Sequence, residues 1–219
     1  MPGTAIWLKD TSREERIMID TLPYLLAVLG GYLLGSIPFG LVLTRAAGLG
    51  DIRAIGSGNI GATNVLRTGR KDLAFATLLL DSFKAGLATL LFSYVYSPNI
   101  GIIAGAAAFF GHCYPVWLGF KGGKGVATYA GLLVFATWQG LLVGAPIWLA
   151  MFAITRISSL AALTAATIIP FGAFALGETL FASIVLGVLT LLIYWTHRAN
   201  ISRLLQGEEP RFGADKSKS

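Results

Sequence analysis

Between two apolar runs lies Gly119-Phe120-Lys121-Gly122-Gly123-Lys124-Gly125, where glycines free the backbone from helical geometry and two lysines supply charge. Backbone N–H groups in such a turn, the positive end of the helix that follows and one mobile ammonium together suit a phosphate. The pattern departs from a nucleotide-binding loop, which needs Gly-Lys-Ser/Thr, because Lys124 is followed by Gly125, and this argues against an NTPase. A second segment, Asp51 to Arg67, has the same character. Gly56, Gly58 and Gly61 allow tight turns, Ser57, Asn59, Thr63 and Asn64 offer side-chain donors and acceptors, and Arg67 presents a planar fork for a phosphate or carboxylate. A third, His197 to Glu209, puts His197, Asn200, Ile201 and Leu204 on one helical face and Arg198 and Ser202 on another, which suits a helix along a membrane interface. Taken singly, each has a plainer alternative: a basic turn that sets topology, a capped turn into a helix, or a charged stop flank.

The elements that position these segments are membrane helices. Of 219 residues 55% are hydrophobic and only 13% charged, with a mean hydropathy of +0.70, too apolar for a water-soluble globule. The net charge of +6 is dispersed in short segments between apolar runs, which favours anionic headgroups and substrates over nucleic acid as partners. Cys113 is the only cysteine, so thiols build neither a disulfide framework nor a metal site.

Residues 1–21 read as a polar N-terminal extension, with no cleavable signal peptide and an amphipathic stretch through Ile17 and Ile19. Residues 22–212 form the membrane domain and 213–219 a cytoplasmic tail. The first span is expected over 22–44, the second over 73–96, the third over 100–118, the sixth from Ser158 or Ser159 to 175, and the seventh over 180–196. Asp81 and Lys84 interrupt the second span at i, i+3 spacing and are expected to pair toward the bundle interior. His112 reads as an interior hydrogen bonder rather than a base.

Residues 126–155 decide the topology. A single crossing would put Arg156 outside, whereas two short crossings of roughly 13 to 16 residues, turning near Thr137 to Gly140, keep every basic cluster on the cytoplasmic side. The expectation is an all-α integral membrane protein of seven spans, some short, N-terminus outside and C-terminus cytoplasmic. All three glycine-rich or basic segments then emerge on one face, where they can form the active site.

The runs Gly56 to Arg67, Gly111-His112-Cys113-Tyr114-Pro115 with Phe120 to Thr128, and His197 to Leu204 with Gly207 and Glu209 resemble the bacterial acyl-phosphate:glycerol-3-phosphate acyltransferase family. The resemblance spans about residues 24–212. It implies an inner-membrane enzyme moving an acyl group from acyl phosphate to the sn-1 hydroxyl of glycerol 3-phosphate, without cofactor or metal. This would be the first step of bacterial phospholipid synthesis. The implied partners are those two substrates, membrane lipids and contact with the enzyme that produces acyl phosphate. Carried over by residue, it assigns catalytic and substrate contacts to Ser57, Arg67, Lys124, His197 and Asn200. Gly56, Gly58, Asn59, Thr63, Asn64, Gly122, Gly123 and Gly125 would bind substrate phosphate, and Glu209 would order the tail. Ala162 stands where the family pattern has a polar residue, which puts a sixth-span substrate contact in question.

An acyl phosphate is already activated, so the lack of a Ser-His-Asp set is no obstacle: the protein need supply only proximity and charge stabilisation. The hydroxyl proton can pass to the acyl phosphate's own oxygen, with His197 as positioning group. A transporter of anionic metabolites would share the cationic lip, though no internal repeat supports one. A membrane scaffold would not need Ser57, Asn59 and Asn64.

Overall fold

The computed structural model describes residues 11–213, all helix, turn and loop with no strand among them. Residues 1–10 of the polar extension and 214–219 of the tail lie outside the described residues. The first helix, α1 (Thr11–Gly35), starts well before the expected Leu22, so residues 11–21 continue into the span rather than forming a separate element. Pro38 has no N–H to extend a helix, and the chain breaks at Ser36-Ile37-Pro38 before α2 (Phe39–Ala46). The stretch Met18–Ala46 nevertheless qualifies as one apolar span.

Four more helices are long and apolar enough to cross a membrane: α4 (Lys71–Val95), α5 (Pro98–Cys113, with a one-turn extension to Leu118), α7 (Trp138–Thr155) and α8 (Ser158–Ala175). A sixth span is reached if α9 (Leu180–Thr196) is taken with α10 (Arg198–Gln206), which bends from it by 62°. Where two short crossings are expected, the chain forms two helices of unequal length, α6 (Val126–Ala136) with 11 residues and α7 with 18, and only α7 is long enough to count as a span. At 1.5 Å per residue α6 reaches about 16 Å, roughly half the hydrocarbon thickness.

Helix α5 is the hub, packed against α1, α4, α6 and α9. Small residues let backbones approach: a Cβ on Gly31 or Gly35 would run into the backbone of Ala104 or Ala108. Alternating with these are large apolar side chains, and Phe109, Leu132, Leu186 and Ile193 are fully buried at the centre. Such shape complementarity, rather than water exclusion, holds helices together in lipid.

A second, smaller cluster of Leu41, Ile52, Ile60, Val65 and Ala74 sits beneath the 51–67 segment and anchors it to α2 and α4. The loop is thereby part of the fold, with short helix α3 (Ala62–Val65) at its centre.

Deep in the bundle, Lys84 Nζ lies 3.0 Å from Asp81 Oδ1, an ion pair by distance although off the line of a hydrogen bond. The ammonium instead donates to the Ile37 carbonyl at 2.9 Å and meets His112 Nδ1 at 2.9 Å. All three side chains are at most 3% exposed, so the inward pair and interior histidine stand as the sequence reading has them. This cluster fastens the break before α2 to α4 and α5.

Candidate active site

Asn64 organises the first loop. Its Nδ2 donates to the carbonyls of Ile52 (2.9 Å), Ile55 (3.0 Å) and Asn59 (2.8 Å), while its Oδ1 accepts from Ser57 N–H (3.1 Å) and Oγ (3.3 Å). Expected among the phosphate contacts, this amide is engaged in shaping the loop. Asn59 also has a structural bond, its Oδ1 accepting the Gly61 N–H at 2.9 Å. Gly56 turns the chain at φ +58°, and a Cβ there would sit 2.5 Å from Arg67 Nη1. Glycine at 56 therefore makes room for Arg67, whose exposed guanidinium has no hydrogen-bond or ion-pair partner among the described residues.

The second segment is built differently from its expected role. Gly122 and Gly123 N–H donate to the Cys113 and His112 carbonyls, each at 3.0 Å, closing the C-terminal end of α5. A Cβ on Gly123 would enter the His112 ring, and one on Gly125 the Phe109 ring. These glycines, like Gly58, stand outside the cavity lining, behind the site rather than around a ligand. Their packing delivers Lys124 and the first turn of α6, where Val126 and Ala127 line the cavity and the amides have no partner within the helix. Thr196 Oγ1 donates to the Lys124 carbonyl at 3.1 Å, tying the loop to α9.

The Lys124 ammonium has no partner among the described residues, and its pKa is lowered to about 8. Burial is the main cause; Glu209 opposes it, while the positive charges of Arg203 and Arg67 add to it. His197 is lowered to about 4, by burial first and then by Lys124, so it is neutral at pH 7. Its Nδ1 lies 2.8 Å from the Ile193 carbonyl, an acceptor only. The proton therefore sits on Nδ1, leaving the Nε2 lone pair free.

Glu209 joins three elements. Its Oε1 accepts from Ser159 Oγ and Asn200 Nδ2, both at 2.6 Å, and its Oε2 from Arg203 Nε at 2.7 Å. Burial works against its charge, but these donors outweigh it and hold the carboxyl below its ordinary range. The tail continues past this point, Phe212 N–H donating to the Arg156 carbonyl at 2.7 Å while its ring meets Phe152 edge-on.

These elements enclose one cavity of about 800 Å³. Ser57, Arg67, Lys124, His197 and Asn200 all line it, as do Gly56, Asn59, Thr63, Asn64 and Glu209. Ala162 lines it too, and α8 additionally presents Ser158 and Ser159, one turn earlier, so the sixth span keeps polar groups there despite the alanine. Sequence reasoning assigned no site role to Arg156, Arg203 or Arg211, nor to Asp81, which reaches the lining from α4. Arg156 counted only as a topology marker. Its signal was the pattern shared with Lys124: a cation two residues before the first residue of an apolar helix.

Residues 25–207 match the family described as Glycerol-3-phosphate acyltransferase. The chain belongs to this family. It is 66% identical over 197 residues to the glycerol-3-phosphate acyltransferase of Hyphomonas neptunium, covering 88% of this chain and 94% of that one. The Maricaulis maris protein of the same name is 64% identical over 202 residues, 92% of this chain and 93% of its own. The fold matches the crystal structure of PlsY (YgiH), an integral membrane glycerol 3-phosphate acyltransferase, in its glycerol 3-phosphate form. The TM-score is 0.82 at 38% identity, over 87% of this chain and 96% of that chain. The lysophosphatidic acid form of that enzyme matches at 0.80. The family match spans every segment that lines the cavity except the end of the tail, residues 208–213.

Proposed function

We propose that this acyltransferase moves a fatty acyl group from an acyl phosphate to the sn-1 hydroxyl of glycerol 3-phosphate, releasing lysophosphatidic acid and inorganic phosphate. One observation carries the reading: two cations with no partner among the described residues, Arg67 and Lys124, share a cavity with a neutral histidine whose Nε2 has no partner among them either. That is a site for phosphates beside a hydroxyl. Ser57, by contrast, has its hydroxyl on Asn64 rather than on a base, and Cys113 is buried at 3% exposure, so neither is an activated nucleophile.

In the proposed reaction the glycerol oxygen attacks the acyl carbonyl carbon, the bond from that carbon to the phosphate oxygen breaks, and the hydroxyl proton leaves on the departing phosphate. Arg67, Lys124 and the first-turn amides of α6 stabilise the charge that develops. His197 Nε2 accepts the hydroxyl proton in a hydrogen bond and orients the nucleophile without keeping it, and Asn200 lies on the same wall. A separate apolar groove of about 440 Å³, lined by Leu163, Thr167, Tyr194, Ile201 and Leu204 among others, is the proposed bed for the acyl chain.

The proposed topology has seven crossings of the bacterial inner membrane, α6 being the short fourth, with the N-terminus outside. The cavity then faces the cytoplasm, where a soluble enzyme producing acyl phosphate can deliver its product. The basic residues flanking the spans support this orientation.

The test is turnover by the purified protein in detergent with glycerol 3-phosphate and either acyl phosphate or acyl-CoA, with Arg67→Ala and His197→Ala alongside. Product from acyl phosphate alone, abolished in Arg67→Ala, is the expected result. Equal turnover from acyl-CoA would refute the donor assignment. Loss in His197→Ala as complete as in Arg67→Ala, at unchanged glycerol 3-phosphate affinity, would refute the positioning role.

A further inference from the structure

Among the described residues Lys84 is the largest fully buried side chain, and it takes no part in the chemistry above. Carrying a charge into a membrane helix is costly, and a buried ion pair replaced by well-packed apolar residues is often as stable or more so. Stability alone therefore does not account for it. Asp81, one turn earlier on α4, lies 3.0 Å away and reaches the cavity lining. The remaining contacts of the ammonium lead to two different segments of the site.

One branch runs to the first loop. Lys84 Nζ donates to the Ile37 carbonyl at 2.9 Å and stands 5.9 Å from the centroid of the Phe39 ring, so it grips the break at Pro38 and the first residue of α2. A Cβ on Gly40 would run into the Ile60 carbonyl, and Leu41 packs with Ile52, Ile60 and Val65. Arg67 follows Val65 by two residues. The other branch runs to the second segment. Lys84 Nζ lies 2.9 Å from His112 Nδ1, and since an ammonium only donates, that nitrogen accepts and the ring proton sits on Nε2. Nε2 is the ring atom nearest the place a Cβ on Gly123 would occupy, and the His112 carbonyl accepts the Gly123 N–H at 3.0 Å. Lys124 is the next residue.

Both branches thus end beside a cation. Arg67 and Lys124 line one cavity, and the charge of Arg67 is felt at Lys124, so the two segments repel one another. A tie between them offsets that repulsion. We propose that Lys84, held by Asp81 and bonded to Ile37 and His112, is a positioning residue that fixes the separation of Arg67 and Lys124 for the phosphate of glycerol 3-phosphate. This rests on the reading of those two cations as phosphate contacts and is independent of the acyl donor.

The experiment compares wild type with three variants in detergent: the charge-free double variant Asp81→Leu with Lys84→Met, then His112→Phe, and His112→Asn, whose amide oxygen replaces Nδ1 as acceptor. Each is measured for melting temperature, for calorimetric binding of glycerol 3-phosphate without donor, and for kcat and KM, with Arg67→Ala alongside. The double variant is expected to melt close to wild type, yet to bind glycerol 3-phosphate about tenfold more weakly and to lose about a hundredfold in kcat/KM. His112→Phe should share the defect, and His112→Asn should return to within about threefold of wild type. A cluster that only stabilises the bundle would leave binding unchanged in the folded double variant and in His112→Phe, and that result overturns the proposal. Equal defects in His112→Phe and His112→Asn would also overturn it, because the bond from Lys84 would then not matter. If the double variant does not fold, the two His112 variants decide. Binding weakened in Arg67→Ala but in none of the others removes the positioning role alone, whereas undiminished binding in Arg67→Ala removes the phosphate reading beneath it and the proposal with it.

Discussion

The Lys124 ammonium is the group whose titration the structure makes most consequential. Burial, with Arg203 and Arg67 nearby, brings its pKa down to about 8, so it is about 90% protonated at pH 7 and about 10% at pH 9. In the proposed mechanism only the protonated form binds phosphate. Because kcat/KM reports groups in the free enzyme, kcat/KM for glycerol 3-phosphate should fall above pH 8 and approach a tenfold loss per unit beyond pH 9. The rising limb belongs to the substrate, whose second phosphate ionisation lies near about 6. His197, at about 4, adds nothing between pH 5 and 9. The expected profile is a bell with limbs near 6 and 8. The assay is initial-rate release of lysophosphatidic acid in detergent, corrected at each pH for spontaneous donor hydrolysis. Lys124→Arg retains a cation that does not titrate in this range and should flatten the alkaline limb, whatever its absolute rate. An alkaline limb unchanged in Lys124→Arg, or a flat wild-type profile from pH 7 to 9.5, would refute the reasoning.

Three further substitutions probe what holds the site in place. Glu209→Gln removes the charge shared by Ser159, Asn200 and Arg203 and should lower activity at least tenfold while costing about 1.5 to 3 kcal/mol in thermal unfolding, with Glu209→Asp intermediate. Asp81→Leu leaves Lys84 buried without its counter-ion and should destabilise by about 3 to 5 kcal/mol; adding Lys84→Met should recover most of that loss, which a melting series would show. Gly123→Ala drives a methyl into the His112 ring and should cost about 1 to 3 kcal/mol and displace Lys124, seen as a raised KM for the phosphate substrate.

How much of this was legible in the chain differs between fold and site. The membrane character, the helical class and the inward pairing of Asp81 with Lys84 were legible because each is local: hydropathy over about 20 residues, or charge spacing on one helix. The set Ser57, Arg67, Lys124, His197 and Asn200 was assigned by the family resemblance of three polar segments, each of which has a plainer reading when taken alone. Their convergence on one cavity is the structure's contribution.

Other features depended on packing. The glycines of 122–125 look like a phosphate cradle in sequence, yet whether an N–H faces a ligand or a neighbouring carbonyl is set by the element behind it, and here that element is the end of α5. Asn64 looks like a ligand because its amide is polar, and only the fold of the loop shows the amide already engaged. The cations Arg156 and Arg211, far apart in sequence, come to one cavity only when the tail returns to the end of α7. Helix lengths within 126–155 were also beyond local reading, because uniform apolarity carries no mark of where one helix stops. The sequence by itself determined which segments are apolar enough for a membrane and which carry polar and charged groups suited to chemistry, through hydropathy and charge that act residue by residue. The tertiary structure decided which donors remain free, because a hydrogen bond made within the protein is one that a substrate cannot have.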